Sequence, residues 1–367
     1  MIRLRTGTVT SVKEARPGLL ELVADVEGAP ARALAYPELS GPVAEGDRVL
    51  LNTTAADLGL GTGGFHLVIA VQGAADTDPR PEGHVMKLRY TPLQAKVQAV
   101  EEQGSPHHEV MAGARTLEGT PVVWVPLHSM VAPAVAGARA SGAERVVHVM
   151  TDGAALPLWL SDQVHTLRSA GLLEAVVTAG QAVGGDLEAV TTFSALLAAR
   201  AVAGADVIVV ADGPGKVGTE TPWGATDVAS GMSLNAAAIL GGRAVAALRV
   251  SFADPAYRHH GVSPHTVTVL QDVAVLPVHV AVPTLEGEQR KALWAALREA
   301  RLEERHQVVE APGQPALDLL GDVGIAPESM GRTVEEDPAL FLGAGAAGVL
   351  AGRMAAGSAR WRRDAGR

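Results

Sequence analysis

Six short runs of Val, Ala and Ile recur through the second two-thirds of the chain: Val122–Pro126, Val146–Met150, Ala175–Ala179, Val207–Ala211, Ala244–Val250 and Val275–Val282. A half-exposed strand alternates apolar and polar residues, whereas near-continuous apolar runs need a sheet covered on both faces. Helical patterns lie between the runs. Leu187, Val190, Ser194, Leu197 and Ala201 share one helical face, with Asp186 placed to cap it. Leu293, Leu297 and Ala300 mark another, with Glu288, Arg290 and Glu299 among its polar positions. The alternation predicts an α/β domain over residues 121–357, with a mainly parallel, doubly wound sheet. Its last part, Glu336–Ala356, is rich in Gly and Ala and reads as a close-packed helix or helix pair.

Residues 1–104 have a different period. Gly7–Val12, Leu20–Val26 and Ala31–Leu34 alternate, Glu45-Gly46-Asp47 turns into Arg48–Leu51, and Phe65–Val71 is a further apolar run. Short strands with Gly and Pro turns predict a small barrel-like β-domain. Residues 105–120 read as a connector and 358–367 as a basic tail without regular structure, carrying Arg360, Arg362, Arg363 and Arg367.

Composition removes several function classes. Aromatic residues are only 3% of the chain and the net charge is −10, which disfavours base-stacking platforms and backbone-held nucleic acid. There is no cysteine, hence no disulfide, thiolate nucleophile or Cys-ligated zinc. No secretory apolar region follows Met1, and Phe341–Leu350 is too short a run to cross a bilayer. The expectation is a cytoplasmic protein with no membrane or nucleic-acid partner. Whether it forms a homo-oligomer through the Gly343–Ala356 stretch is left open.

In open parallel sheets ligands bind beyond the carboxyl ends of the strands, where helix N-termini converge. The polar residues after the apolar runs are therefore the site candidates: His128-Ser129, Thr151-Asp152-Gly153, Gly180–Asp186, Asp212–Thr221 and Ser251–Asp254, then Arg258-His259-His260. The sharpest segment is Gly213-Pro214-Gly215-Lys216-Val217-Gly218-Thr219, a G-x-G-x-x-G match holding one of only five lysines in the chain. Glycines there would let backbone N–H groups reach an anion, with Lys216 adding charge. The same spacing recurs at Gly59-Gly61-Gly64 and Gly343-Gly345-Gly348, so it is a weak motif in a chain with 41 glycines. Pro222-Trp223-Gly224 interrupt the entry to a helix, and no acidic residue ends the next strand, which argues against a dinucleotide fold.

Histidine clusters give the second constellation. His259, His260 and His265 lie near Asp254 and Arg258, and His107-His108-Glu109 lie in the connector. They suit acid–base work better than a metal, because no zinc-binding spacing such as H-E-x-x-H is present. G-x-S-x-G and the P-loop pattern are absent too.

Several longer stretches look familiar. Ala33–Pro37, Glu45–Asn52, Met86–Pro92, Ser105–Glu109, Met150–Pro157, Gly213–Thr221, Ser251–Pro255, His260–Thr266 and Met330-Gly331-Arg332 with Glu335–Pro338 resemble a bacterial family catalogued only as a domain of unknown function. The resemblance spans nearly the whole chain and implies one shared architecture, with no known activity, substrate or catalytic residue to carry over.

The functional expectation is a small anionic metabolite, phosphorylated ones included, bound at the carboxyl edge of the sheet by an enzyme or binding protein. Gly213, Gly215, Lys216, Gly218, Thr219, His128 and Arg258 would hold it. Asp152, Asp254, His259 and His260, or Asp212, would handle protons. No metal site and no particular cofactor is expected. The rival is a non-catalytic scaffold or regulatory interaction module.

Overall fold

The computed structural model describes residues 2–61, 63–254 and 260–365. The chain divides into two compact units, Met1–Gln98 and Ala99–Arg367. Residues 99–104, read above with the β-domain, belong to the second unit. Ala99 bridges Glu188 there, and Val100 N donates to the Glu188 carbonyl at 2.7 Å.

The first unit holds a closed barrel of β1 (Leu4–Arg16), β2 (Leu19–Val26), β3 (Ala29–Ala35), β4 (Arg48–Asn52) and β5 (His66–Val71), in the order β1-β2-β3-β5-β4. Neighbours are antiparallel except β3 and β5. Closure depends on β1, whose Gly7 faces Val26 of β2 on one side and Val49 of β4 on the other. The β2–β3 turn uses Glu27 and Gly28, both at positive φ (55° and 83°), the primed geometry that matches strand twist. Alternate residues point inward, so Val9, Leu22, Ala24, Ala33, Ala35, Val49, Leu51 and Val68 form the core. Two one-turn helices, α1 (Pro37–Ser40) and α2 (Thr54–Asp57), fill loops, and β6 (Val85–Lys87) pairs with β7 (Ala95–Val97) as a separate hairpin.

In the second unit α3 (His108–Gly113) precedes β8 (Pro121–Trp124), α4 (Val131–Ala140), β9 (Val146–Thr151), α5 (Asp162–Ser169), β10 (Ala175–Ala179), β11 (Leu187–Ala189), α6 (Thr192–Ala201) and β12 (Val207–Asp212). Then come α7 (Thr226–Ser230), α8 (Met232–Ile239), β13 (Arg243–Ala247), the short pair β14 (Val250–Ser251) and β15 (Gly261–Val262), and α9 (Pro264–Thr268). The chain ends with β16 (His279–Pro283), α10 (Gly287–Glu299), β17 (Gln307–Ala311), α11 (Gln314–Asp322) and α12 (Pro338–Ala365). Eight strands make an all-parallel sheet ordered β11-β10-β9-β12-β8-β13-β16-β17. Every residue of β8, β9 and β12 is buried, which is why these strands lack polar alternation.

Side chains divide by strand parity between two cores. Val123, Val146, Val209 and Ala211 pack with α4, α5, α11 and α12. Val122, Trp124, Val147, Val149, Ile208 and Val210 pack with α6, α8, α9 and α10 on the other face. From β8 the chain moves through α4 and α5 towards β11, and from β12 it moves the opposite way through α7 and α8. The direction therefore reverses between the adjacent strands β8 and β12, the kind of switch point beyond whose carboxyl ends ligands bind in open parallel sheets.

Three expectations shift in detail. The helical face drawn from Leu187 is a three-residue edge strand first, and α6 starts only at Thr192, capped by Thr191. Asp186 does not cap it. Its carboxylate accepts from Val176 N (2.8 Å) and pairs with Arg168 (2.8 Å). The apolar C-terminal run is longer than Phe341–Leu350: Pro338–Gly357 is long and apolar enough to cross a membrane, with a mean hydropathy of 1.5, and 67% of that window is buried inside the protein. It packs on α4, and α12 continues to Ala365 through most of the stretch read as a tail.

Candidate functional site

Asp212 closes β12 at the point where the topology reverses. Its carboxylate is buried and accepts hydrogen bonds from Thr151 Oγ1 (2.7 Å) and Gly153 N (3.1 Å), both at the end of β9. Burial raises its pKa, and the Thr151 and Gly153 hydrogen bonds oppose the shift. Its carbonyl faces His128 Nδ1 at 2.9 Å, so Nδ1 carries the ring proton. Nε2 then accepts from Ser161 Oγ at 2.6 Å, while Ser161 caps α5 by accepting from Val164 N at 3.1 Å. His128 thus fastens β12 to the start of α5 as a neutral ring, its pKa lowered by burial to about 4. His148, edge-on to it at 6.0 Å, donates to the Val209 carbonyl (2.9 Å), and burial lowers its pKa to about 3.

The glycine loop leaves β12 through Gly213, whose missing Cβ would lie 2.2 Å from the Ala155 carbonyl oxygen. Gly215 turns the chain at φ 87° with open space around it. Beyond it the loop closes on itself: Thr226 N donates to the Val217 carbonyl (2.9 Å), Thr219 N to Gly224 (2.7 Å) and Gly224 N to Thr221 (3.2 Å). Thr219 Oγ1 contacts Thr221 Oγ1 (2.9 Å) and donates to the Gly224 carbonyl (3.0 Å). Gly218 bridges Ala225. These amides are spent inside the loop.

Lys216 is the loop's partly buried charge. It forms an ion pair and hydrogen bond with Asp227 of α7, a carboxylate with no solvent exposure. Burial lowers the Lys216 pKa, and Asp227 opposes that shift. The charges of Arg249 and Asp212 also act on it. The structure therefore brings Lys216, Asp212 and Asp227 into one electrostatic cluster at the carboxyl edge.

The remaining candidates go elsewhere. Asp152 accepts from Gln181 N (2.8 Å) and holds the loop after β10. Asp254 lies between Arg332 (3.2 Å) and Arg249 (3.6 Å), and Arg332 also pairs with Asp337 (3.1 Å), which accepts from Ser251 Oγ (2.7 Å). This is a buried network of arginines and aspartates, fastening the segment after β14 to the approach to α12. His260 is exposed and lies edge-on to Phe252 at 5.4 Å. Arg258 and His259 lie outside the described residues. Among the described residues no group of three or more His, Asp and Glu side chains is placed to hold a metal. A shallow groove lined by Arg139, Glu144, Leu172 and Leu319 opens at the amino edge of the sheet, away from this cluster.

Sequence reasoning did not single out Asp227, His148 or Ser161. Asp227 follows a threonine at a helix start and reads as an ordinary first-turn acid; only its burial against Lys216 separates it. His148 sits within an apolar run, and that break in the run was the available signal.

A family model described as a protein of unknown function (DUF3866) matches residues 32–348, and the chain belongs to that family. The match takes in part of the barrel and nearly all of the parallel-sheet unit. No curated protein matches the chain.

Proposed function

We propose that this protein takes a small anionic metabolite, phosphorylated ones included, at the carboxyl edge of its parallel sheet, with Lys216 as the charged contact. The observation that carries the reading is the Lys216–Asp227 pair beside Asp212 at the topological switch point. An ammonium has three donors, and Asp227 is its one hydrogen-bond partner among the described residues. The lysine side chain keeps 14% exposure, so an anion can reach it. A cation whose charge burial disfavours gains more from an incoming anion than a solvated one does. A lowered lysine and a raised aspartate in one electrostatic cluster also suit proton transfer in an enzyme.

One observation favours the scaffold reading instead: Asp152 and Asp254 are held in separate networks, so acid–base groups do not all converge. The test is the melting temperature against inorganic phosphate, sugar phosphates, nucleotides and small carboxylates. It is run on wild type and on Lys216→Met/Asp227→Asn, which removes both charges and strands neither. A ligand at 100 times its Kd stabilises by about 2.7 kcal/mol, a visible shift. The reading expects one anion class to raise wild type and not the double variant. A flat wild-type panel, or equal shifts in both proteins, would contradict it.

A further inference from the structure

The helix α9 runs on into a π turn, Val269–Val273, in which Ala274 N donates to the Val269 carbonyl five residues back (2.8 Å). A π turn takes carbonyls off the regular helical ladder, and such turns are frequent at functional sites. Here side chains from other elements take up those carbonyls. His306 Nε2 donates to Leu270 (2.6 Å), Arg305 to Gln271 and to Ala274 (3.5 Å), and Asn235 Nδ2 to Val273 (2.8 Å). Asn235 Oδ1 accepts in return from Val275 N (2.9 Å). The turn is thus clamped from outside, and it presses on the helix that carries Asp227. Val269 lies where a side chain on Gly231 would go, 2.5 Å from an added Cβ, and Gly231 N closes α7 on the Asp227 carbonyl (2.9 Å). Both α9 and the π turn pack on α7.

One of the clamps titrates. His306 is 6% exposed and both its ring nitrogens are engaged: Nε2 donates to Leu270, and Nδ1 accepts from Val278 N at 3.4 Å. Only the neutral ring fits that pattern, because an imidazolium has two donors and Val278 N–H is a donor as well. The titratable and charged groups on the elements around it are Asp272 on the π turn, Arg301, Glu303 and Glu304 about the turn Leu302–Glu304, Arg305 beside it, and His279 on β16. Burial lowers the His306 pKa, the Leu270 hydrogen bond opposes the shift, and Arg305 is the one of these charges that adds to it. We infer that His306 is an acid-sensitive latch: neutral, it holds the π turn against α7, and protonated it releases Val278, so that the turn, and with it α7, opens as pH falls. The latch stands whether or not an anion binds at Lys216.

The latch is complete above about pH 6.5, where a histidine in an opened turn is itself neutral, and is lost as pH falls from there towards the lowered value. Hydrogen exchange, corrected for intrinsic rates, is followed at pH 7 and pH 5 in wild type and in His306→Gln. The glutamine amide donates and accepts in the same pattern and does not titrate. Relative to that variant, wild-type amides of residues 265–275 and 226–231 are expected to lose protection at least about threefold between the two pH values. No loss relative to the variant would overturn the latch, and loss over 265–275 alone would overturn its reach to α7. If the variant does not fold, the proton titration of His306 in wild type decides. A pKa below about 6.5 is expected, and one at or above it would overturn the inference.

Discussion

The spacing G-x-G-x-x-G occurs twice in the second unit, and the two copies do opposite things. Gly213-Gly215-Gly218 shapes a loop in which Gly215 stands in open space and only its φ of 87° demands glycine. Gly343-Gly345-Gly348 lies inside α12, where each missing side chain is the space another backbone occupies. A Cβ on Gly348 would sit 2.0 Å from the Ala134 carbonyl oxygen, and one on Gly137 of the facing helix would sit 2.4 Å from that of Gly345. The lesson is that a glycine string carries no chemistry of its own. What surrounds it decides whether it makes a turn beside charged groups or a helix crossing.

The largest effect should fall at the crossing. Gly348→Val is expected to cost more than about 4 kcal/mol, since a backbone carbonyl cannot move aside as a side chain can. Denaturant unfolding measures it, and a near-neutral variant would show that the two helices are not in contact. Next comes the loop's charge. Lys216→Met leaves Asp227 buried and unpaired and should cost about 3–5 kcal/mol, with much of the loss recovered by adding Asp227→Asn. Non-recovery would mean that the pair is not the source of the cost.

Acid should act on the loop's side of the comparison and not on the apolar crossing. His128 and His148 are neutral in the fold, with pKa values of about 4 and about 3, while the unfolded chain protonates its histidines near 6.5. Their stabilisation is complete above pH 6.5 and is lost as pH falls from there towards those values, by about 1.4 kcal/mol per unit for each ring. Asp212, with its raised pKa, acts in the opposite direction, so the variant difference is the clean reading. In His148→Gln the fall between pH 6.5 and 5 should be shallower than in wild type by about that amount, and equal slopes would place a charged His148 in the fold. The smallest effect is Gly215→Ala, expected at about 1 kcal/mol, from its backbone conformation alone.

How much of this was legible in sequence follows from length and burial. The strands β8, β9 and β12 announced themselves because full burial forbids polar alternation, and β10, buried but for Ala175, did so too. The strand β11 is three residues long, too short for any period to show, and β17 carries Gln307 and Glu310 on an exposed edge, so it does not read as a buried run. At the site, Lys216 stood out as a scarce lysine in a glycine loop. Its partner did not, because the burial of one aspartate on a five-residue helix depends on packing against elements remote in the chain, α9 some forty residues further on among them. The two-sided charge network of Arg249, Asp254, Arg332 and Asp337 joins segments farther apart still, Asp254 and Arg332 being 78 residues apart, and has no local signature.

The most direct test is a crystal structure of the protein with whichever panel compound raises its melting temperature most. The account predicts that compound at the carboxyl edge, its acidic group within hydrogen-bonding distance of Lys216 Nζ and close to Asp227. The compound seated in the amino-edge groove lined by Arg139, Leu172 and Leu319, with Lys216 still held by Asp227 alone, would contradict it.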